Sequence, residues 1–451
     1  MLFSSIPFLY YFLPCMLILY HIVPKNCKNG ALLLASLVFY AWGEPKYVFL
    51  MLAMILLNYA AGLLLLKYGK TKKGRIVFWT TLAISVGVLG FFKFSSVAWP
   101  IGISFYTFQL ISYLADVYRG TAEAQTNFIN LGAYVTMFPQ LIAGPIVRYV
   151  DIEKQLRQRT IGYEKVLHGV ERFLIGLGKK ILISNALGEL CEIFKASNEK
   201  SILFFWVYAV SYTLQIYYDF SGYSDMAIGL GKIFGFDFLE NFNYPYISKS
   251  ITEFWRRWHM SLGSWFRDYV YIPLGGNRVS KPRWYFNIFV VWCLTGLWHG
   301  AAMQFVVWGL MFAVLLVFEK HWFLKKLEKA HIWNHIYVLL IVILSFVIFN
   351  AADMKEALIY IGGMFGFGNV PLISAECVYY FRSYGVLILG AIIGSTPIVK
   401  TMGSQFVNRF EKVTVVLRPV VLFVILGVCT AYLIDSSFNP FLYFRFYGDC
   451  R

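Results

Sequence analysis

The sequence predicts an all-α, polytopic membrane protein, a single domain over residues 1–451 with about ten to twelve helices that cross the bilayer or re-enter it. Three observations carry that expectation. Hydrophobic residues make up 59% of the chain and charged ones only 14%, where a soluble domain has about a quarter charged. Apolar runs recur along the whole length, at 6–24, 30–43, 46–66, 76–92, 203–218, 285–298, 302–318, 336–350, 384–398 and 415–434. Some match the roughly 20 residues that span a hydrocarbon core, and others are short or carry Gly and Pro, as broken or re-entrant elements do. Finally, the net charge of +16 gathers in short loops between the runs. That is the pattern of basic loops kept on the cytoplasmic side, and it argues against nucleic acid as the partner.

From the start of the chain, the first run reads as a membrane segment and not as a cleavable signal peptide. No basic residue precedes it, Pro7 and Pro14 interrupt it, and no small-residue cleavage site follows. KYGKTKKGR, 67–75, is the densest basic loop between two clean runs and is placed inside. Counting back puts Lys25 and Lys28 inside as well, and the N-terminus outside. GNRVSKPRW (276–284) and EKHWFLKKLEKAH (319–331) are two further cytoplasmic loops. The stretch 95–200 mixes short apolar runs with segments such as RYVDIEKQLRQR (148–159), and its crossings do not count cleanly. Seven cysteines are scattered without a C-x-x-C pair, so neither a disulfide framework nor a metal cluster is expected. No soluble domain, repeat or low-complexity segment stands out.

TGLWHGAAMQFVVWG, 295–309, places an ionisable ring inside apolar sequence. Residues 285–318 are nearly all apolar, yet both flanking loops are cytoplasmic, so the segment must enter and return. Gly300 offers a break at the bend. His299 is about 15 residues from the first end, or roughly 22 Å at 1.5 Å per residue, which puts it toward the far half of the bilayer near a hairpin tip.

A second polar concentration is YPYISKSITEFWRRWHMSLGSWFRDYVYIPLGG, 244–276. Ser250 and Glu253 form a capping box, so a helix is expected to begin near 251. Continued along one helix, Phe254, Trp258, Leu262 and Trp265 form an aromatic face, while Arg256, His259, Gly263 and Arg267 share another. The plain reading is a structural helix lying among headgroups with snorkelling arginines. The functional reading is an Arg–His stripe lining a cavity that meets an anionic ligand, such as a cofactor phosphate. Upstream, in 217–246, Asp219, Ser221, Tyr223, Ser224 and Asp225 crowd the expected end of a span, where acidic groups tend to face a cavity. GLGKIFG, 229–235, lacks both the spacing and the preceding strand of a dinucleotide fingerprint. Its glycines are expected to permit close helix packing.

At this point the chain resembles the membrane-bound O-acyltransferases, in the bacterial branch that contains alginate O-acetyltransferases and the teichoic-acid D-alanyl transfer protein. The resemblance rests on blocks in order: PIGISFYTFQLISYLADVYRG (100–120), MFPQLIAGPIVRY (137–149), YYDFSGYSDMAIGLGKIFGF (217–236), NFNYPYISKSITEFWRRWHMSLGSWFRDYVYIPLGG (241–276), LTGLWHGAAMQFVVWG (294–309) and NPFLYFRF (439–446). It implies many helices around a thin central region with an external funnel, in a bacterial cytoplasmic membrane. It implies that His299 matches the family's catalytic histidine and His259 the second functional histidine of the branch. It also implies a cytosolic thioester donor, here acetyl-CoA, no metal, and an acceptor on the outer side. The acceptor would be a hydroxyl of a cell-surface or secreted polysaccharide, reached directly or through an extracytoplasmic acetyltransferase or relay protein.

The chemistry fits the residues. In O-acylation the acceptor hydroxyl loses its proton as it attacks the thioester carbonyl, and a neutral imidazole is a competent base. His299 takes that role in this reading. His259 either serves the developing oxyanion or helps hold the donor, and Arg256 and Arg257 are expected to bind the donor's anionic end. A lone histidine in an apolar helix is more often a packing residue. A lipid or glycan transporter, or a non-catalytic part of an export complex, is the rival class. Transporters often show related halves around a midplane site, and this chain shows none.

Overall fold

The computed structural model describes residues 2–327, 329–435 and 439, and these fold into helices and turns with no β-strand among them. The NPFLYFRF block lies outside the described residues apart from Asn439, whose side chain meets those of Ser4 and Asn185. Among the described residues six helices are long and apolar enough to cross a membrane: Tyr47–Tyr68, Lys72–Phe94, Met303–Leu327, Ile332–Asn350, Ala375–Gly394 and Glu411–Asp435. Phe8–Ile22 is apolar but shorter. Large apolar side chains such as Trp42, Phe49, Trp79 and Phe423 stand exposed on the helix surfaces, which is costly in water and natural against lipid. The chain is a multi-pass membrane protein.

The centre of the fold is a helical hairpin that the hydropathy pattern shows only in part. Tyr163–Gly178 and Asn185–Ala196, joined through the wide turn Lys179–Ser184, run antiparallel to Ile202–Ile233. The sequence places the end of a span at the Asp219–Asp225 cluster. The helix instead continues unbroken for 32 residues, because each acidic group finds a cation on the neighbouring helix. Asp219 pairs with Lys180 at 2.5 Å, both at most 3% exposed. Asp225 pairs with Lys179 at 2.6 Å and Arg172 at 2.8 Å. Glycines let the two backbones touch, as expected of GLGKIFG. A Cβ on Gly229 would lie 2.5 Å from the Gly169 carbonyl oxygen, and one on Gly176 would lie 2.5 Å from that of Gly222.

Lys281–His299 and Met303–Phe318 form the second hairpin. Their closest approach is again glycine to backbone, Gly296 against Phe305 and Gly309 against Trp292. The Lys72–Phe94 helix starts at the 67–75 loop, and Lys93, near its other end, donates to the Trp298 carbonyl. The hairpin tip therefore lies at the end of the bundle away from that loop. The far-end position expected for His299 follows from this contact without any appeal to charge.

Sidedness can be tested with cysteines in a cysteine-free background. Gly69 is unsuitable as a reporter, since its φ of 53° and ψ of −137° suit only glycine. Lys70 and Ser96 are both exposed, at opposite ends of one helix. In intact cells Lys70→Cys should be shielded from an impermeant thiol reagent, while Ser96→Cys should react. The reverse pattern would invert the topology.

Candidate active site

His299 is the last residue of its helix, at the hairpin tip. Gly300 follows at φ 176°, ψ 164°, an extended conformation open to any residue. The glycine is required here for space: a Cβ would sit 2.6 Å from the Phe305 ring. That ring is part of an aromatic enclosure around the imidazole. The Trp298 centroid lies at 4.7 Å, Phe349 at 5.0 Å, Trp308 at 5.3 Å and Phe305 at 6.5 Å. Trp298 is buried, whereas His299 is only partly so.

Sequence reasoning overlooked Lys93. Its ammonium donates to the Trp298 carbonyl and lies 4.7 Å from the centroid of Trp99. The last carbonyls of a helix have no intrahelical donor and carry its negative dipole end, so a cation there satisfies both. The available signal was a lone lysine close to the end of an apolar run, in GFFKFSS (90–96). On its own that reads as an interfacial anchor.

His259 departs from expectation in its backbone. The sequence predicts one helix from 251 through 267, and the structure breaks it in two. Ile251–Arg257 and Met260–Phe266 are separated by an extended Trp258 and by His259 in the left-handed region, φ 45°, ψ 52°. A shared Arg256–His259–Arg267 stripe therefore does not form. The cause is competition for backbone hydrogen bonds from the segment 241–243. The Arg257 carbonyl accepts from the Asn243 N–H at 2.9 Å, and the Met260 N–H donates to the Asn241 carbonyl at 2.9 Å. The start near 251 does hold. Ser250 Oγ accepts from the Glu253 N–H, and the buried Glu319 carboxylate accepts from the N–H groups of Ile251 and Thr252 at 2.6 and 3.0 Å.

This break carries His259 into the interior, at 3% exposure. Its ring stands edge-on to Phe220 at 4.7 Å and lies 6.0 Å from the Trp298 ring. The two histidines thus flank the same indole. Arg256 is exposed. Arg257 is engaged, with Glu253 at 2.9 Å and the Asn243 carbonyl at 3.0 Å. Between the broken helix and Lys281–His299 runs a slot of about 170 Å³. It passes from Arg267 and Tyr271 along Trp292 to His259 and Thr295, the latter one turn before His299. Among the described residues no group of His, Cys, Asp and Glu has a metal-binding arrangement.

The sequence profile of the membrane-bound O-acyltransferase family matches residues 121–351, which contain both histidines and the slot. The chain is 36% identical to the probable alginate O-acetylase of Azotobacter vinelandii, over 99% of this chain and 100% of the relative. It is 31% identical to the peptidoglycan O-acetyltransferase of Helicobacter pylori, over 91% and 89% of the two chains. With the teichoic acid D-alanyltransferase of Bacillus subtilis it shares 32% identity over 52% of this chain and 61% of the relative.

The Lys93 contact makes a specific demand on stability. Lys93→Met should leave the buried end of the hairpin helix short of a donor, at a penalty of about 1–3 kcal/mol. Lys93→Arg should retain most of the stability. Thermal unfolding in detergent reads the difference, and a Met variant as stable as the parent would show that this contact does not anchor the tip.

Proposed function

The chain belongs to the membrane-bound O-acyltransferase family, and from that premise we propose that it moves an acetyl group from cytosolic acetyl-CoA to a hydroxyl of a cell-surface or secreted polysaccharide, with His299 as the general base. The enzyme is a membrane-bound O-acyltransferase; donor, acceptor and residue roles are the proposal. One observation carries it. Two histidines flank Trp298, and a narrow slot lined by Arg267 and Tyr271 extends to His259 and Thr295, one turn short of the hairpin tip that carries His299.

The steps follow from that arrangement. The acetyl thioester lies in the slot with its carbonyl near the tip, and the acceptor hydroxyl approaches from outside. His299 removes the hydroxyl proton as the oxygen attacks the carbonyl carbon. The C–O bond forms, the C–S bond breaks, and the departing thiolate takes the proton back from the imidazolium. The ester leaves on the outer side and the free thiol on the inner side. The tryptophan walls of the slot exclude water that would otherwise hydrolyse the thioester. His259, on the slot wall, is assigned to the donor side. Arg256 and Arg257 are assigned to the donor's phosphates, with Arg256 the more available because Arg257 also holds Glu253.

The names of the relatives, acting on alginate and on peptidoglycan, support a polysaccharide as the final acceptor. The immediate acceptor is either the polymer itself or a hydroxyl on an extracytoplasmic acetyltransferase or relay protein. A bacterial cytoplasmic membrane, with acetyl-CoA on one side and the envelope on the other, is the location that supplies both substrates.

His299→Ala should leave the protein inserted and stable while O-acetyl content of the surface polymer falls by roughly 10² to 10⁴-fold, the range for loss of a general base. The measurement is made in a deletion strain at matched expression. Near-normal acetylation would return His299 to a packing role. Arg256→Gln should raise the KM for acetyl-CoA more than it lowers kcat, and an unchanged KM would remove Arg256 from the donor site.

A further inference from the structure

His259 Nδ1 faces Asn241 at 3.0 Å, with the Ser261 hydroxyl more distant at 3.5 Å, and the chemistry of the nearer side chain decides which ring nitrogen carries the proton. Asn241 is 1% exposed. Its Oδ1 accepts from the Ser261 backbone N–H at 3.3 Å and from the Ser261 hydroxyl at 2.9 Å. A backbone N–H can only donate, so the atom facing it is the amide oxygen and not the amide nitrogen. The Ser261 hydroxyl agrees, because it accepts from the Ile146 N–H at 3.0 Å and has its own proton left for Asn241. On the other side Asn241 Nδ2 donates to Ser224 Oγ at 3.0 Å. His259 Nδ1 lies 3.0 Å from that same Oδ1. Facing an acceptor that already takes two donors, Nδ1 must carry a proton.

In the neutral ring Nε2 is then a bare lone pair. Nε2 is buried with no hydrogen-bond partner among the described residues, and the ring borders the slot. The backbone serves the same end. The left-handed φ of 45° is uncommon outside glycine, although histidine adopts it more readily than most, and the Met260 N–H on the Asn241 carbonyl holds it there. One residue thus fixes both where the ring stands and how it is protonated.

We infer that Asn241 is a positioning residue for the transfer reaction: it fixes His259 as the Nδ1–H tautomer and presents Nε2 to the slot as a hydrogen-bond acceptor for an amide N–H of the thioester donor's arm. The second half rests on the slot being the donor's path. A consequence is that His259 holds the donor and does not stabilise the oxyanion, since a bare nitrogen has no hydrogen to offer to a developing negative charge.

The tautomer is read directly from side-chain ¹⁵N shifts of histidine-labelled protein in lipid nanodiscs, with the His259 signals identified by their loss in His259→Gln. The expected result is a protonated Nδ1 and a bare Nε2, with the single tautomer lost in Asn241→Leu. A protonated Nε2 in the parent would overturn the inference, whatever reaction the protein performs. Kinetics with acetyl-CoA test the contact. His259→Asn offers a donor where Nδ1 was but nothing at Nε2, and should raise KM about tenfold, roughly the worth of one hydrogen bond. His259→Gln, whose carbonyl oxygen reaches the Nε2 position, should restore most of that. A fall in kcat at unchanged KM in His259→Asn would refute the donor-arm contact.

Discussion

A backbone N–H or C=O that loses its helical partner at membrane depth has no water to turn to, at a penalty of several kcal/mol per group. Both histidines of this site stand where a helix stops or breaks, so each requires hydrogen-bond partners borrowed from elsewhere in the chain. At the tip, Lys93 supplies a donor to the Trp298 carbonyl. At the break, Asn241 and Asn243 take over the backbone groups of Met260 and Arg257. At the start of the broken helix, the Glu319 carboxylate covers the N–H groups of Ile251 and Thr252, while Ser250 covers that of Glu253. The positions of the two histidines are in this sense set by which distant side chains can complete an interrupted helix.

The same constraint explains the scaffold. Paired charges and glycine contacts hold the long central hairpin, where lipid would offer no hydrophobic drive to bring helices together. A buried Lys180–Asp219 pair is a weak source of stability, because desolvation opposes its attraction, but it fixes the register of two helices already in backbone contact at Gly176 and Gly222. A platform that packs backbone on backbone moves little, and it gives the histidine site beside it a rigid support.

Membership of a membrane-embedded helical class, the apolar hairpin and the start of the helix at 251 were legible because each follows from local pattern: run length, loop charge and a cap. The extent of the 202–233 helix was not. Its polar half looks like an ending until the cations of the partner helix are placed beside it, and those are distant in sequence, Lys179 lying 46 residues before Asp225. The break at His259 was hidden for the same reason. Residues 251–267 carry a good helical periodicity, and only the competing segment 241–243 interrupts it. Gly300 shows a subtler case. A glycine at a bend invites an argument from dihedral freedom, yet its φ is one any residue adopts and the demand comes from the Phe305 ring across the hairpin.

The two breaks also determine how the two imidazoles come to face the same indole. The seven-residue helix Ile251–Arg257, whose first N–H groups donate to Glu319, rises only about 10 Å at 1.5 Å per residue. Had it continued, His259 would have stayed on its side, facing along the helix surface with the arginines. The extended residue at 258 and the left-handed turn at 259 instead redirect the chain, so that the ring is aimed inward at Trp298. The hairpin helix carries that indole and ends one residue beyond it, where Lys93 donates to the Trp298 carbonyl and aromatic rings surround His299. Two elements with their origins at the same end of the bundle therefore converge beneath a tip that faces the opposite end. The slot lies between these two elements and ends at His259 and Thr295, one turn short of that tip.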